Sequence, residues 1–90
     1  MNRYHIIFQG QIQNVGFRLY VKKIAIDHNL TGYVKNLTDF TLVEVEFQGN
    51  ENQIKDAIKE IIKGNIFIKV IDYKFKLIDN NLIDKEFVIK

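Results

Sequence analysis

The chain has no cysteine, no proline and only five glycines in 90 residues. Without cysteine there can be no disulfide framework, thiolate nucleophile or Cys-ligated zinc, so a small fold must stand on packing alone, as suits a reducing compartment. Without proline there are neither stiff spacers nor slow X-Pro isomerisation. No secretory h-region follows Met1 and no apolar run is long enough to span a bilayer, so the expectation is a cytoplasmic protein with no membrane association. Charge of one sign is also scarce. Thirteen basic and 11 acidic residues leave +2 without any like-charged block, which gives little support to binding a polyanion. No linker, repeat or low-complexity tract divides the sequence, and its length suits a single domain over residues 1–90. What the chain has in quantity is apolar, 47% of its residues. A chain this short buries only roughly 60% of its unfolded surface, so nearly every apolar residue must serve one core.

Periodicity divides the chain into elements. Residues 4–8 (Tyr-His-Ile-Ile-Phe), closed by Gln9 and Gly10, are apolar on both faces, as an interior strand would be. Phe17, Val21, Ile24, Ala25 and His28 follow the stripe of an amphipathic helix, and Asn29 stands where a left-handed C-terminal cap is needed. Residues 32–36 read as a second strand. A hairpin over residues 37–40 leads to a third strand at 41–47, where Thr41, Val43, Val45 and Phe47 alternate with Leu42, Glu44 and Glu46. Asn50 with Gln53 resembles a capping box, and Ile54, Ala57, Ile58, Ile61 and Ile62 make a second stripe ended by Gly64. Residues 67–77 form a half-exposed strand alternating Ile71, Tyr73, Phe75 and Leu77 against Asp72, Lys74 and Lys76. A polar turn at 79–81 precedes a short strand at 87–89. The order β-α-β-β-α-β predicts an α+β split βαβ sandwich, one antiparallel sheet with both helices on one face.

The segment between the first strand and first helix is Gly10-Gln11-Ile12-Gln13-Asn14-Val15-Gly16-Phe17-Arg18. A loop feeding a helix N-terminus offers unpaired N–H groups at the positive end of the dipole and can cradle an oxyanion, phosphate above all. Arg18 is informative because a cation in the first turn opposes the dipole, costing about 0.3–1 kcal/mol when exposed, unless an anion is held there. The plainer alternative is two turn glycines and a surface arginine. A second segment, Gly32-Tyr33-Val34-Lys35-Asn36, ends in an asparagine that the split βαβ layout can bring beside the loop.

Together these two segments resemble the signature segments of the acylphosphatase family. The resemblance runs through Thr31-Gly32, Gln48-Gly49, the second helix, Gly64 and Phe87-Val88-Ile89. It implies a ferredoxin-like βαββαβ sandwich that hydrolyses carboxyl phosphates to a carboxylate and inorganic phosphate. It also implies a phosphate cradle from Gln13, Asn14, Val15, Gly16 and Phe17, with Arg18 as the phosphate-binding arginine and Asn36 as the asparagine that positions water. The expectation is a monomer whose partner is a small-molecule acyl phosphate substrate, with no nucleic acid, metal or cofactor. Two positions depart from the family pattern. Asn14 stands where glycine is usual, the least costly replacement if the backbone needs positive φ. Phe40 follows Asp39 where glycine is common, and the hairpin is one residue longer, which argues against a two-residue turn and implies reduced activity if Asn36 is displaced.

Two other function classes fit less well. One keeps the anion site but loses turnover, leaving a phosphate- or partner-binding relative. The other is an RNA-binding module, since Gly16-Phe17-Arg18-Leu19-Tyr20-Val21 faintly echoes the aromatic string of RNA-recognition domains. That string belongs on a third strand, whereas here the third strand carries Glu44 and Glu46. His5 and His28 have no carboxylate at ligand spacing and are assigned structural or surface roles. Tyr4, Phe8, Phe47, Tyr73 and Phe75 are read as core. Lys55, Lys59 and Lys63, interleaved with Asp56 and Glu60, are read as a solvated face.

Overall fold

The computed structural model describes residues 1–80 and 83–90. Its elements are β1 (Asn2–Gln11), α1 (Phe17–Asp27), β2 (Thr31–Asn36), β3 (Leu42–Gly49), α2 (Glu51–Lys63), β4 (Lys69–Ile78) and β5 (Phe87–Ile89). The strands form one sheet in the order β4-β1-β3-β2-β5. The first four pair antiparallel, as the split βαβ reading requires, while β5 adds itself parallel to β2, with Val34 opposite Ile89. Asn81, in the expected polar turn, lies outside the described residues.

One face of the sheet carries the core. Tyr4, Ile6 and Phe8 of β1 lie beside Phe47, Val45 and Val43 of β3, all buried, and both helices press their stripes onto them. Helix α1 supplies Phe17, Val21, Ile24 and Ala25, and α2 supplies Ile54, Ala57, Ile58 and Ile61. The expected cap of α1 is present: Asn29 adopts φ 58°, its amide bonds to Ile26 and that of Leu30 to Ala25, a Schellman closure with buried Leu30 as its apolar contact. At the start of α2 the Asn50 carboxamide accepts from the amide of Asn52 at 2.9 Å, so the cap reaches the second helical residue and not the third.

Strand β4 differs from the sequence reading. Gln9 pairs with Asp72 but Gly10 with Val70, so Ile71 is the extra residue of a bulge. The bulge shifts the phase: Val70 packs against the core and Ile71 stands 74% exposed. Gly10 makes this possible, because any Cβ there would collide with the Lys69 carbonyl oxygen. Gly10 therefore belongs to β1 and to its close approach to β4, not to the loop. As an edge strand β4 is covered less than its alternation suggests. Tyr73 is half-buried, while Phe75 and Leu77 remain exposed, with Phe75 stacked on Tyr4 at 5.8 Å.

The face without helices holds a polar network. Arg3 pairs with Glu46 and Asp84, both at 2.7 Å, and the Tyr33 hydroxyl donates to Glu44 and Glu46. Both histidines prove to have carboxylate neighbours that sequence spacing did not reveal. His5 meets Glu44 across the β1–β3 pair at 3.1 Å, and His28 meets Glu60 between the helices at 3.4 Å.

Candidate active site

The loop joining β1 to α1 is held at its base by Ile12, almost wholly buried. Its backbone twice enters the left-handed region, at Asn14 (φ 63°) and Gly16 (φ 80°). Asparagine is the non-glycine residue best suited to that conformation, so the departure at position 14 leaves the loop geometry accessible. Helix α1 then begins without a side-chain cap and without an acidic residue in its first turn. Its first backbone bond runs from the Tyr20 amide to the Gly16 carbonyl at 3.0 Å, which leaves Phe17, Arg18 and Leu19 amides with no acceptor inside the helix.

A pocket of about 290 Å³ opens at this point, lined by Ile12, Asn14, Gly16, Phe17, Arg18, Leu19, Asn36 and Ile89. Arg18 and Asn36, 18 positions apart in sequence, thus face one cavity. Phe17 is itself buried in the core, against Phe8. Arg18 is exposed, and its Nη1 donates to the Lys90 carbonyl at 3.2 Å. The side-chain oxygen of Asn36 is buried without a hydrogen-bond partner among the described residues. Such a group costs about 1–3 kcal/mol unless something satisfies it, and the pocket offers room for a water or a ligand to do so.

Gln13 and Val15, the other two loop residues singled out from sequence, do not line this pocket. Val15 lines an adjoining groove. Gln13 turns toward the hairpin, where its Nε2 donates to the carbonyls of Leu37, Asp39 and Leu42 at 2.9, 3.0 and 2.9 Å. It ties the loop to the segment that follows Asn36. That hairpin is indeed no two-residue turn. Leu37 pairs with Leu42, the Leu42 amide reaches the Asp39 carbonyl at 3.0 Å, and Phe40 projects into solvent at negative φ, so no glycine is required there. The Thr41 hydroxyl and amide both donate to the Asp39 carboxylate and hold its pKa below the usual range.

Sequence reasoning missed Ile12, Leu19 and Ile89 as pocket walls. For Ile89 the missing information was the parallel β2–β5 pairing, which carries the end of the chain to the mouth of β2.

Comparison with known proteins agrees with this geometry. The Acylphosphatase family model matches residues 4–89. An acylphosphatase of Clostridium beijerinckii is 42% identical over 90 residues, covering 100% of this chain and 99% of that protein. One from Bacillus licheniformis is 46% identical over 74 residues, 82% of this chain and 81% of the other. The crystal structure of acylphosphatase from Bacillus subtilis superposes with a TM-score of 0.93 at 33% identity, covering 100% of this chain and 99% of that one. Fold, paired segments and end-to-end similarity together establish that this chain belongs to the acylphosphatase family.

Proposed function

We propose that the protein, as one acylphosphatase-like domain over residues 1–90, hydrolyses small-molecule acyl phosphates to a carboxylate and inorganic phosphate, with Arg18 and Asn36 as its catalytic residues. The observation that carries this reading is the buried Asn36 oxygen, without a hydrogen-bond partner among the described residues, in the pocket that Arg18 and the helix N-terminus also line. The planar guanidinium of Arg18 meets two phosphate oxygens at once, and the amides of Asn14, Gly16, Phe17 and Arg18, which line the pocket, complete the cradle. The same groups stabilise charge on the equatorial oxygens as the transition state forms.

Asn36 cannot remove a proton at neutral pH, because an amide is not a base there. Its oxygen accepts a hydrogen bond from water and turns the lone pair toward phosphorus. The new P–O bond forms as the bond from phosphorus to the carboxyl oxygen breaks. The carboxylate leaves with that electron pair, and the water's proton passes to a phosphoryl oxygen. An acyl phosphate already has a good leaving group, so positioning and electrostatics suffice without metal or cofactor. Glu44 and Glu46, on the helix-free face of the sheet, weigh against a single-stranded RNA there.

Hydrolysis of benzoyl phosphate in the presence of EDTA tests the reading. Wild type turns over, and inorganic phosphate inhibits competitively. Arg18→Ala raises KM and the phosphate inhibition constant together, whereas Asn36→Ala lowers kcat on the order of 10²- to 10³-fold. Folded wild type that binds phosphate without turnover, or Asn36→Ala with full kcat, overturns it.

A further inference from the structure

The pocket that accommodates a phosphate does not end at Leu19. Gly16 and Leu19 also line a second, larger groove of about 580 Å³ between α1 and the segment before β4, where apolar Val15, Ile26 and the edge of the nearly buried Ile68 are rimmed by Lys22, Lys23 and Asp27. Leu19 and Ile26 are seven residues apart, on the same side of the helix, and stand 66% and 57% exposed. The core makes no use of them.

Reaction geometry connects the two cavities. In-line displacement places the attacking water and the departing carboxylate on opposite sides of phosphorus. Asn36, which orients the water, lines the phosphate pocket and not the groove. The acyl half must therefore leave the pocket away from Asn36, and the walls shared with the groove are Gly16 and Leu19. From the helix start at Phe17 to Ile26 is nine residues, roughly 13 Å along the axis. An extended octanoyl phosphate spans about 11 Å from phosphorus to its terminal methyl, which brings that methyl to contact distance of the Ile26 side chain leaning back toward the helix start. Resting on the hydrolytic reading above, we propose that this groove is an acyl-binding subsite and that the enzyme favours acyl phosphates with extended apolar acyl chains over short ones.

The test compares acetyl phosphate with octanoyl phosphate on wild type and on Ile26→Ser. Wild type shows a KM for octanoyl phosphate at least about tenfold below that for acetyl phosphate, the scale expected when several methylenes leave water. Ile26→Ser raises the octanoyl KM about three- to tenfold and leaves both kcat/KM for acetyl phosphate and inhibition by inorganic phosphate unchanged. A merely structural role for Ile26 would shift both substrates alike. Equal KM for the two substrates in wild type, or an octanoyl KM untouched by Ile26→Ser, overturns the subsite while leaving the hydrolytic reading intact. No turnover of either substrate overturns that reading, and this inference with it.

Discussion

Asn14 and Gly16 both hold positive φ, 63° and 80°, yet only the second is glycine. An L-residue in the left-handed region brings Cβ against its own carbonyl, a penalty of roughly 1–2 kcal/mol that asparagine partly escapes through local hydrogen bonding. Asn14→Gly should therefore leave phosphate inhibition within about twofold of wild type. Asn14→Val, β-branched and stiff, should lose about 1–2 kcal/mol in denaturant unfolding and bind phosphate more weakly. Equal behaviour of the two variants would show that the loop does not depend on this conformation. The possibility of asparagine at positive φ was readable from residue type; the observed angle came only with the folded loop.

Elements meet at Gln13. One carboxamide reaches three carbonyls of the β2–β3 connection, so the phosphate loop and the segment after Asn36 hold each other in place. Gln13→Ala removes the donor of the Leu37 carbonyl, while those of Asp39 and Leu42 keep backbone amides, and should cost about 0.5–1.5 kcal/mol in stability. Under the proposed mechanism it should lower kcat more than it weakens phosphate inhibition, because Arg18 and the loop amides grip phosphate while Asn36 depends on the hairpin. An unchanged kcat with lost stability would confine Gln13 to a structural role. Nothing in the local sequence announced this contact, since it needs the hairpin carbonyls to converge. The helices, by contrast, were legible: the 3.6-residue stripes of α1 and α2 carry their buried residues, and Asn29 and Asn50 mark an end and a beginning. For β4 the period of two held from Tyr73 to Leu77, which lie opposite Phe8, Ile6 and Tyr4, and failed only at Ile71, the residue that the bulge beside Gly10 turns outward.

At the scale of the molecule, the sheet separates two environments. Its helix-free face holds Glu44, half-buried, between His5 and Tyr33. Burial acts to raise the Glu44 pKa, but hydrogen bonds from His5 and Tyr33 outweigh it and leave the carboxyl below its ordinary value. A group depressed on folding contributes stability that is fully present above its unfolded pKa, about 4.3, and is lost as pH falls through the folded value. Glu44→Gln should therefore lower Tm at pH 7, and the gap from wild type should close as pH falls below about 4. A gap constant down to pH 3 would refute the linkage. Element order suggested the layered architecture; partner choice across the sheet, including His5 with Glu44 and β5 with β2, is long-range and had no local signature.

The shortness of β5 has a consequence for how unevenly the fold is held. Its three residues, in parallel register with β2 and flanked by bonds from the Gly32 amide to Glu86 and from the Lys90 amide to Val34, form the shortest strand of the sheet among the described residues. Ile89 nevertheless forms a wall of the phosphate pocket, and Lys90 supplies the carbonyl that Arg18 reaches. Sub-global opening begins where few bonds and little apolar area must be given up. Deuterium should therefore enter the amides of Val88 and Lys90 well before those of central β1. The boundary of the site would then exchange between closed and frayed forms while its floor, at Ile12 and Phe17, stays shut.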